Sequence, residues 1–278
     1  MNRFSTVVLA LGLGVGCSSN TTTTDLPETL TYDEFKAQAF QEPGTGNFII
    51  NGDELVESEE AMQSLYDSYL QSVSDAADRA DGLATIQQGL IVNRVGGVDD
   101  KWSASAAQNI TYCVSQKGFG SRYSAVVSAM SSAAGAWESA TGGGVNFVHD
   151  SSQDGNCTSR NRNVVFDVNQ VTTSQYLARA FFPSSSRRSR NVLISTSSFG
   201  NIAPWTLAGV LRHELGHTIG FRHEHTRPES GTCFEDTSWR ALTAYDSSSV
   251  MHYPQCNGTN NGDLVLTNSD KTGAAALY

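Results

Sequence analysis

Four of the six histidines in this 278-residue chain fall in one short stretch, RHELGHTIGFRHEHTRP, from Arg212 to Pro228. No other part of the sequence restricts the fold as strongly. PWTLAGVLRHELGHTIG carries apolar residues at helical spacing, with Pro204 near its start and Gly220 at its end, so a helix is expected to run through it and stop at Gly220. His213 and His217, four residues apart, project from the same face of that helix, one turn from each other. Gly220 permits a positive φ, which ends the helix and redirects the chain, and three residues later His223 can swing back toward the same face. Three imidazoles brought together in this way suit one tetrahedral zinc ion. With only three protein ligands a fourth position stays open, which marks a catalytic rather than a structural site. Glu214 directly follows the first ligand and can reach water at the open position without filling it, as a general base must. His149, His225 and His252 lie outside this spacing and are expected not to bind the ion.

The rest of the chain divides by charge. Residues 18–100 carry sixteen acidic side chains against three basic ones, whereas residues 101–278 carry twelve against fourteen. An acidic segment therefore precedes a near-neutral globular domain, and the net charge of −10 argues against a nucleic-acid partner. In the acidic segment, TYDEFKAQAF and EEAMQSLYDSYLQSVSDAADRA read as helices, and NFIINGDELV between them reads as an extended apolar run ending in a glycine-containing turn. Downstream, NITYCVS, VNFVHD, NVVFDVN, YLARAFF and RNVLIST are candidate strands. SRYSAVVSAMSSAAGAWESA is a second long helix stopped by Gly142–Gly144, and SDKTGAAALY is a short C-terminal one. YLARAFF is a candidate exposed edge for an extended peptide, and SSSRRSR, residues 184–190, reads as a solvated basic tip.

The first sixteen residues, MNRFSTVVLALGLGVG, have the layout of an export signal. Cys17 and the polar run after it resemble a bacterial lipoprotein signal, which would make Cys17 a lipid tether; ordinary cleavage after the small residues Gly14-Val15-Gly16 is the alternative. No later segment is apolar enough to cross a membrane. Four cysteines remain, and in an exported chain they are expected to form two disulfides. Of the three connectivities, Cys113–Cys157 with Cys233–Cys256 keeps each pair on one side of the histidine cluster.

HELGHTIGFRH resembles the extended zinc motif of the metzincin metallopeptidases, and its continuation to HEHTRP resembles the astacin branch. SSSVMHYP, Ser247 to Pro254, resembles the Met-turn of that branch, and LTNSDKTGAAALY resembles the way such domains close. Among bacterial chains the resemblance is to the small exported peptidases named for a His-Glu-Ile-Gly-His motif, here with Leu215 in the isoleucine position. The resemblance implies a zinc endopeptidase in which Met251 floors the ion, Tyr253 is a displaceable fifth ligand able to stabilise the oxyanion, and Glu224 pairs with a newly freed N-terminus. It further implies a latent precursor. Astacin precursors bring an aspartate to the zinc from a Phe-x-Gly-Asp stretch, and FIINGD offers Gly52-Asp53, at a longer spacing from Phe48.

The expected architecture is thus mixed α+β: a twisted five-stranded sheet, two long helices and an irregular C-terminal half, preceded by a mainly helical acidic prosegment. The expected divisions are residues 1–16 as export signal, 17–98 as lipid-tether candidate and propeptide, and 99–278 as catalytic domain. Expected partners are one Zn²⁺ and protein or peptide substrates, with membrane contact only through Cys17. A monomer in the bacterial envelope, or released after processing, is the expected state.

Overall fold

The computed structural model of the chain describes residues 29–80, 90–260 and 262–278. The expected export signal and Cys17 lie outside the described residues. Among those described, no helix is long and apolar enough to cross a membrane.

The acidic segment carries its two helices with a small sheet between them. Helix α1 (Tyr32–Ala37) starts at a Thr31–Glu34 capping box. Strands β1 (Phe40–Gln41), β2 (Phe48–Ile50) and β3 (Glu54–Val56) then form an antiparallel sheet before helix α2 (Glu59–Ala80). The extended run read from NFIINGDELV is a hairpin: Ile50 pairs with Glu54, leaving Asn51, Gly52 and Asp53 as a three-residue loop. Asn51 and Gly52 both take positive φ, which suits the Asn-Gly pair at the tip. Alternation splits the hairpin between two cores. Phe48, Ile50 and Val56 pack with Phe35 and Met62 in a small local cluster, while Ile49 and Leu55 enter the main core of the chain.

Strands β4 (Ile91–Val95) and β5 (Val98–Asp99) form the next hairpin, followed by the short helix α3 (Ala104–Ala107). After them come β6 (Ile110–Val114), the short helix α4 (Gln116–Phe119), α5 (Tyr123–Ala140), β7 (Phe147–His149), β8 (Phe166–Val171), β9 (Ala178–Arg179) and β10 (Asn191–Ser195). All five expected strands form one sheet in the order β7-β6-β8-β10-β9, parallel except for β9, which is antiparallel at the edge. Helix α5 buries Val126, Met130, Ala133, Ala134 and Trp137, the apolar stripe its spacing required. Trp137 stacks on Phe221 at 5.1 Å and donates to the Arg212 carbonyl at 2.7 Å, so α5 fixes the height of the histidine helix α6 (Leu207–Thr218).

Beyond α6 the chain is irregular up to helix α7 (Asn268–Leu277), apart from β11 (Trp239–Ala241). Strand β11 pairs with β4, so the third sheet is β11-β4-β5. The expected boundary between residues 98 and 99 falls inside the β4–β5 hairpin. Leu90, Ile91 and Val92 are fully buried, and β4 also bonds to the turn after α6, through Asn93 N–H to Gly220 O and Arg222 N–H to Ile91 O. Both expected disulfides are present. In the chain-entropy picture, their separations of 44 and 23 residues correspond to roughly 4 and 3 kcal/mol of stabilisation. The basic stretch at residues 184–190 is not a solvated tip: Arg187 reaches Asp167 and Arg190 folds back on Trp102 and the Pro183 and Ser185 carbonyls.

Candidate active site

Helix α6 is capped at Thr206, whose hydroxyl accepts the Gly209 N–H. The helix ends where Gly220, at φ +97°, brings its own Cα within reach of the Asp100 carbonyl; a methyl there would sit 2.2 Å from that oxygen. The turn carries His223 back to His213 and His217, and all three imidazoles are buried.

Each ring is held by its Nδ1. His213 donates to the Val250 carbonyl at 2.7 Å, His217 to the Phe221 carbonyl at 2.8 Å, and His223 to Glu235 Oε1 at 2.7 Å. Those bonds orient the rings so that the three Nε2 atoms face one another. The Nε2 atoms of His213 and His217 are 3.3 Å apart. An ion at the usual ~2.0–2.1 Å from each ligand in a tetrahedron needs an edge of about 3.3–3.4 Å. The donor set therefore fits zinc, and Met251 lies fully buried in the main core.

Asp53, at the tip of the β2–β3 hairpin, points into this cluster. Its Oδ2 is 3.2 Å from His213 Nε2, and its Oδ1 is 3.6 Å from His217 Nε2 and 3.0 Å from His223 Nε2. The four residues form one potential metal-binding group. The Tyr253 hydroxyl donates to Asp53 Oδ2 at 2.5 Å, and its ring stacks against His213. Gly52 makes this approach possible, since a methyl there would lie 2.8 Å from the Tyr253 oxygen. Burial opposes charge on Asp53, but the three histidines outweigh it and hold its carboxyl well below the usual range. Glu214 is buried with Oε2 lacking a hydrogen-bond partner. Burial, reinforced by the Asp53 charge, pushes its carboxyl well above the ordinary value.

Several residues here were not read from the sequence. Glu235 orients His223 and also reaches His225 Nε2 at 3.2 Å. Arg222, buried, joins Glu235 (2.9 Å) and Asp236 (2.7 Å) to Glu54 on β3 (3.1 Å). Arg179 on β9 forms a two-point pair with Glu42, which follows β1. The only sequence signal for Glu235 is its position two residues after Cys233, whose disulfide ties the irregular loop to the Met-turn region. Removing a carboxylate partner of a ligating imidazole loosens the ion. Glu235→Gln is therefore expected to weaken zinc binding by about 10–100-fold in a competition titration against a chromophoric chelator; unchanged affinity would dismiss this role.

Of the other expected residues, Glu224 is fully buried. It bonds Arg227 at 3.2 Å and accepts the Asp246 N–H at 3.0 Å, so it is no surface carboxylate. His252 bonds Tyr245, and His149 lies away from the site, stacked on Tyr112. A cleft of about 330 Å³ opens beside the cluster, lined in part by Tyr176, Ala178, Trp205, His213, Glu214 and Tyr253.

The chain is similar to known proteins. It is 32% identical over 81 residues to Protein SpAN of Strongylocentrotus purpuratus (22% of this chain, 13% of that protein). It is 38% identical over 64 residues to a bone morphogenetic protein 1 homolog of the same organism (16% of this chain, 10% of that protein). Both matches span about a seventh or less of the relatives' length. A solved structure, the hatching enzyme zinc-protease High choriolytic enzyme 1 of Oryzias latipes, aligns with a TM-score of 0.40 at 21% identity over 64% of this chain and 94% of that one. The profile of the dual-action HEIGH metallo-peptidases matches residues 101–239, half of the chain, including every histidine of the cluster. With that match and the converging imidazoles together, the chain belongs to the dual-action HEIGH metallo-peptidase family.

Proposed function

We propose that this zinc metallopeptidase is an exported endopeptidase made as a latent precursor, with Glu214 as general base and Asp53 as the blocking residue. The observation that carries the reading is the Asp53 carboxylate lying against the Nε2 atoms of His213, His217 and His223 while accepting the Tyr253 hydroxyl. A carboxylate there fills the space that water and a scissile carbonyl would share.

His213, His217 and His223 would hold the zinc, which when bound supplies Lewis acidity toward water and the peptide carbonyl. The remaining work belongs to the chain. Glu214 accepts the proton of the attacking water and passes it to the leaving amine. Tyr253, freed from Asp53, turns its hydroxyl to the developing oxyanion. Strand β9, at the sheet edge, lends backbone to an extended protein or peptide substrate.

Latency requires a prosegment that is firmly seated yet removable. Three anchors supply this: Ile49 and Leu55 in the main core, Glu54 on Arg222, and Glu42 on Arg179. The processed enzyme keeps the chain from Leu90 onward, because β4 braces the turn that positions His223. Export rests on the N-terminal signal pattern and on two disulfides, which form in oxidising compartments. Attachment through Cys17, on the same pattern, gives a membrane-tethered precursor.

The test is casein cleavage by the chain before and after proteolytic removal of the prosegment. The cut form should hydrolyse casein, lose that activity to a chelator, and regain it with one equivalent of zinc. Equal activity in the uncut chain would remove latency, and activity that resists chelation would remove the zinc mechanism.

A further inference from the structure

We propose that an arginine face, at the end of the five-stranded sheet where β6, β8 and β10 begin, docks the protein on an anionic phospholipid surface. This contact is separate from any tether at Cys17 and does not depend on latency or on the chemistry at the histidines. Residues 158–190 hold six arginines and one acidic residue, Asp167, in a chain whose net charge is −10. One of the six, Arg179, is taken by Glu42. The other five come from two loops that touch. Arg187 clips the loops together, with Nε on the Val164 carbonyl at 3.0 Å and Nη2 on the Thr158 carbonyl at 3.3 Å, and Arg160 and Arg162 lie in the segment it spans. The Cys113–Cys157 disulfide pins the start of that segment.

The charges on this face are poorly compensated. Asp167 is buried and accepts from Arg187 at 2.8 Å, and Glu57 accepts the Ser186 N–H at 2.8 Å. With those two carboxylates set against the five arginines, three cations remain in excess. Arg190 rests on Trp102 and on the Pro183 and Ser185 carbonyls. Burial, followed by the charge of Arg187, pushes its guanidinium below the usual value. Arg160, Arg162 and Arg188 are exposed, and among the described residues no carboxylate pairs with any of them. Like charges fixed together on a disulfide-pinned loop repel one another, so the arrangement favours an external anion.

The position of the face suits a surface rather than a substrate. Asn109, Val165 and Arg190 immediately precede β6, β8 and β10, whereas Ser174 and Ser197, which line the cleft, follow β8 and β10. Parallel strands of five and six residues separate the two ends by roughly 15–20 Å. A surface held at the arginine end therefore leaves the cleft open. The cations also spread over two hollows with no lining residue in common, one bearing Arg160 and the other Arg162, Arg187 and Arg190. One small anion cannot reach them all, but a plane of headgroups meets every one. Among the described residues no aromatic side chain lines either hollow, so the bases of a single-stranded nucleic acid have nothing to stack on.

Cosedimentation of the full chain with vesicles tests the proposal, using phosphatidylcholine alone and phosphatidylcholine with about one-third phosphatidylglycerol. At low salt, wild type should partition onto the anionic vesicles roughly 100-fold more strongly than onto the neutral ones, and high salt should remove most of that difference. Arg160→Gln, Arg162→Gln and Arg188→Gln should each lower anionic binding roughly fivefold, and the triple variant roughly 100-fold. The three side chains are exposed and unpaired, so thermal unfolding of the variants should match wild type. The N-terminal residues are the same in every protein compared, so their contribution cancels. Equal binding to both kinds of vesicle overturns the proposal, as does anionic binding that the triple variant retains. Wild type that ignores anionic vesicles but binds inorganic phosphate or a single-stranded oligonucleotide through these arginines overturns it too, by assigning the face to a soluble anion. None of these results bears on the histidine site or on latency, which casein cleavage reads separately.

Discussion

Glu214→Gln in the processed enzyme is expected to lower kcat for peptide hydrolysis on the order of 10³-fold while zinc content and KM stay close to wild type. The substitution is nearly isosteric, and on the proposed mechanism holding the ion falls to the three imidazoles, steered by Val250, Phe221 and Glu235, and not to Glu214. What Gln lacks is a basic carboxylate. In the described structure Glu214 Oε2 is buried and without a hydrogen-bond partner, an expense that a structural residue would not carry. Measuring metal stoichiometry alongside kinetics separates the alternatives. A Gln variant retaining a tenth or more of wild-type kcat would show that another group accepts the proton. A variant that lost its zinc would show that Glu214 supports the metal site instead.

The ligand triad was legible because its information is local. A helical period, a four-residue interval and one glycine specify where His213, His217 and His223 must meet, and no distant residue is needed to read them. The five strands and two long helices were legible for the same reason, since each carries its own apolar periodicity. Sequence reasoning lost ground where a contact joins remote parts of the chain. Glu42 and Arg179 are 137 residues apart, and Glu54 and Arg222 are 168 apart; neither pair leaves any trace in spacing. The prosegment hairpin was missed because NFIINGDELV has apolar residues on both faces, and only the two separate cores explain why. The expected division at residue 98 falls between β4 and β5, and the sequence does not show that Leu90-Ile91-Val92 is buried by β11 and the turn at Gly220 pairing beside it.

Asp53→Ala in a precursor whose processing is blocked is expected to raise peptidase activity on the order of 10²-fold over the wild-type precursor. The scale corresponds to the net worth of one charge-assisted contact, about 1.5–3 kcal/mol, because the imidazoles and the Tyr253 hydroxyl regain water when Asp53 is removed. Asp53 has one hydrogen bond from Tyr253 and three histidine contacts, and all of them vanish together. The prosegment will not simply fall away, because Glu42, Glu54, Ile49 and Leu55 still hold it, so activity should remain below that of the processed enzyme. Asp53→Asn keeps the volume and loses the charge, and should release less activity than Asp53→Ala. Gly52→Ala attacks the same contact from the backbone, since φ +100° is strained for alanine and its methyl would collide with Tyr253; it should also weaken latency without touching Asp53 itself. Casein hydrolysis by the three precursors, compared with wild type under identical zinc, gives the ranking. An Asp53→Ala precursor as silent as wild type would mean that the bulk of the prosegment, rather than this carboxylate, closes the site.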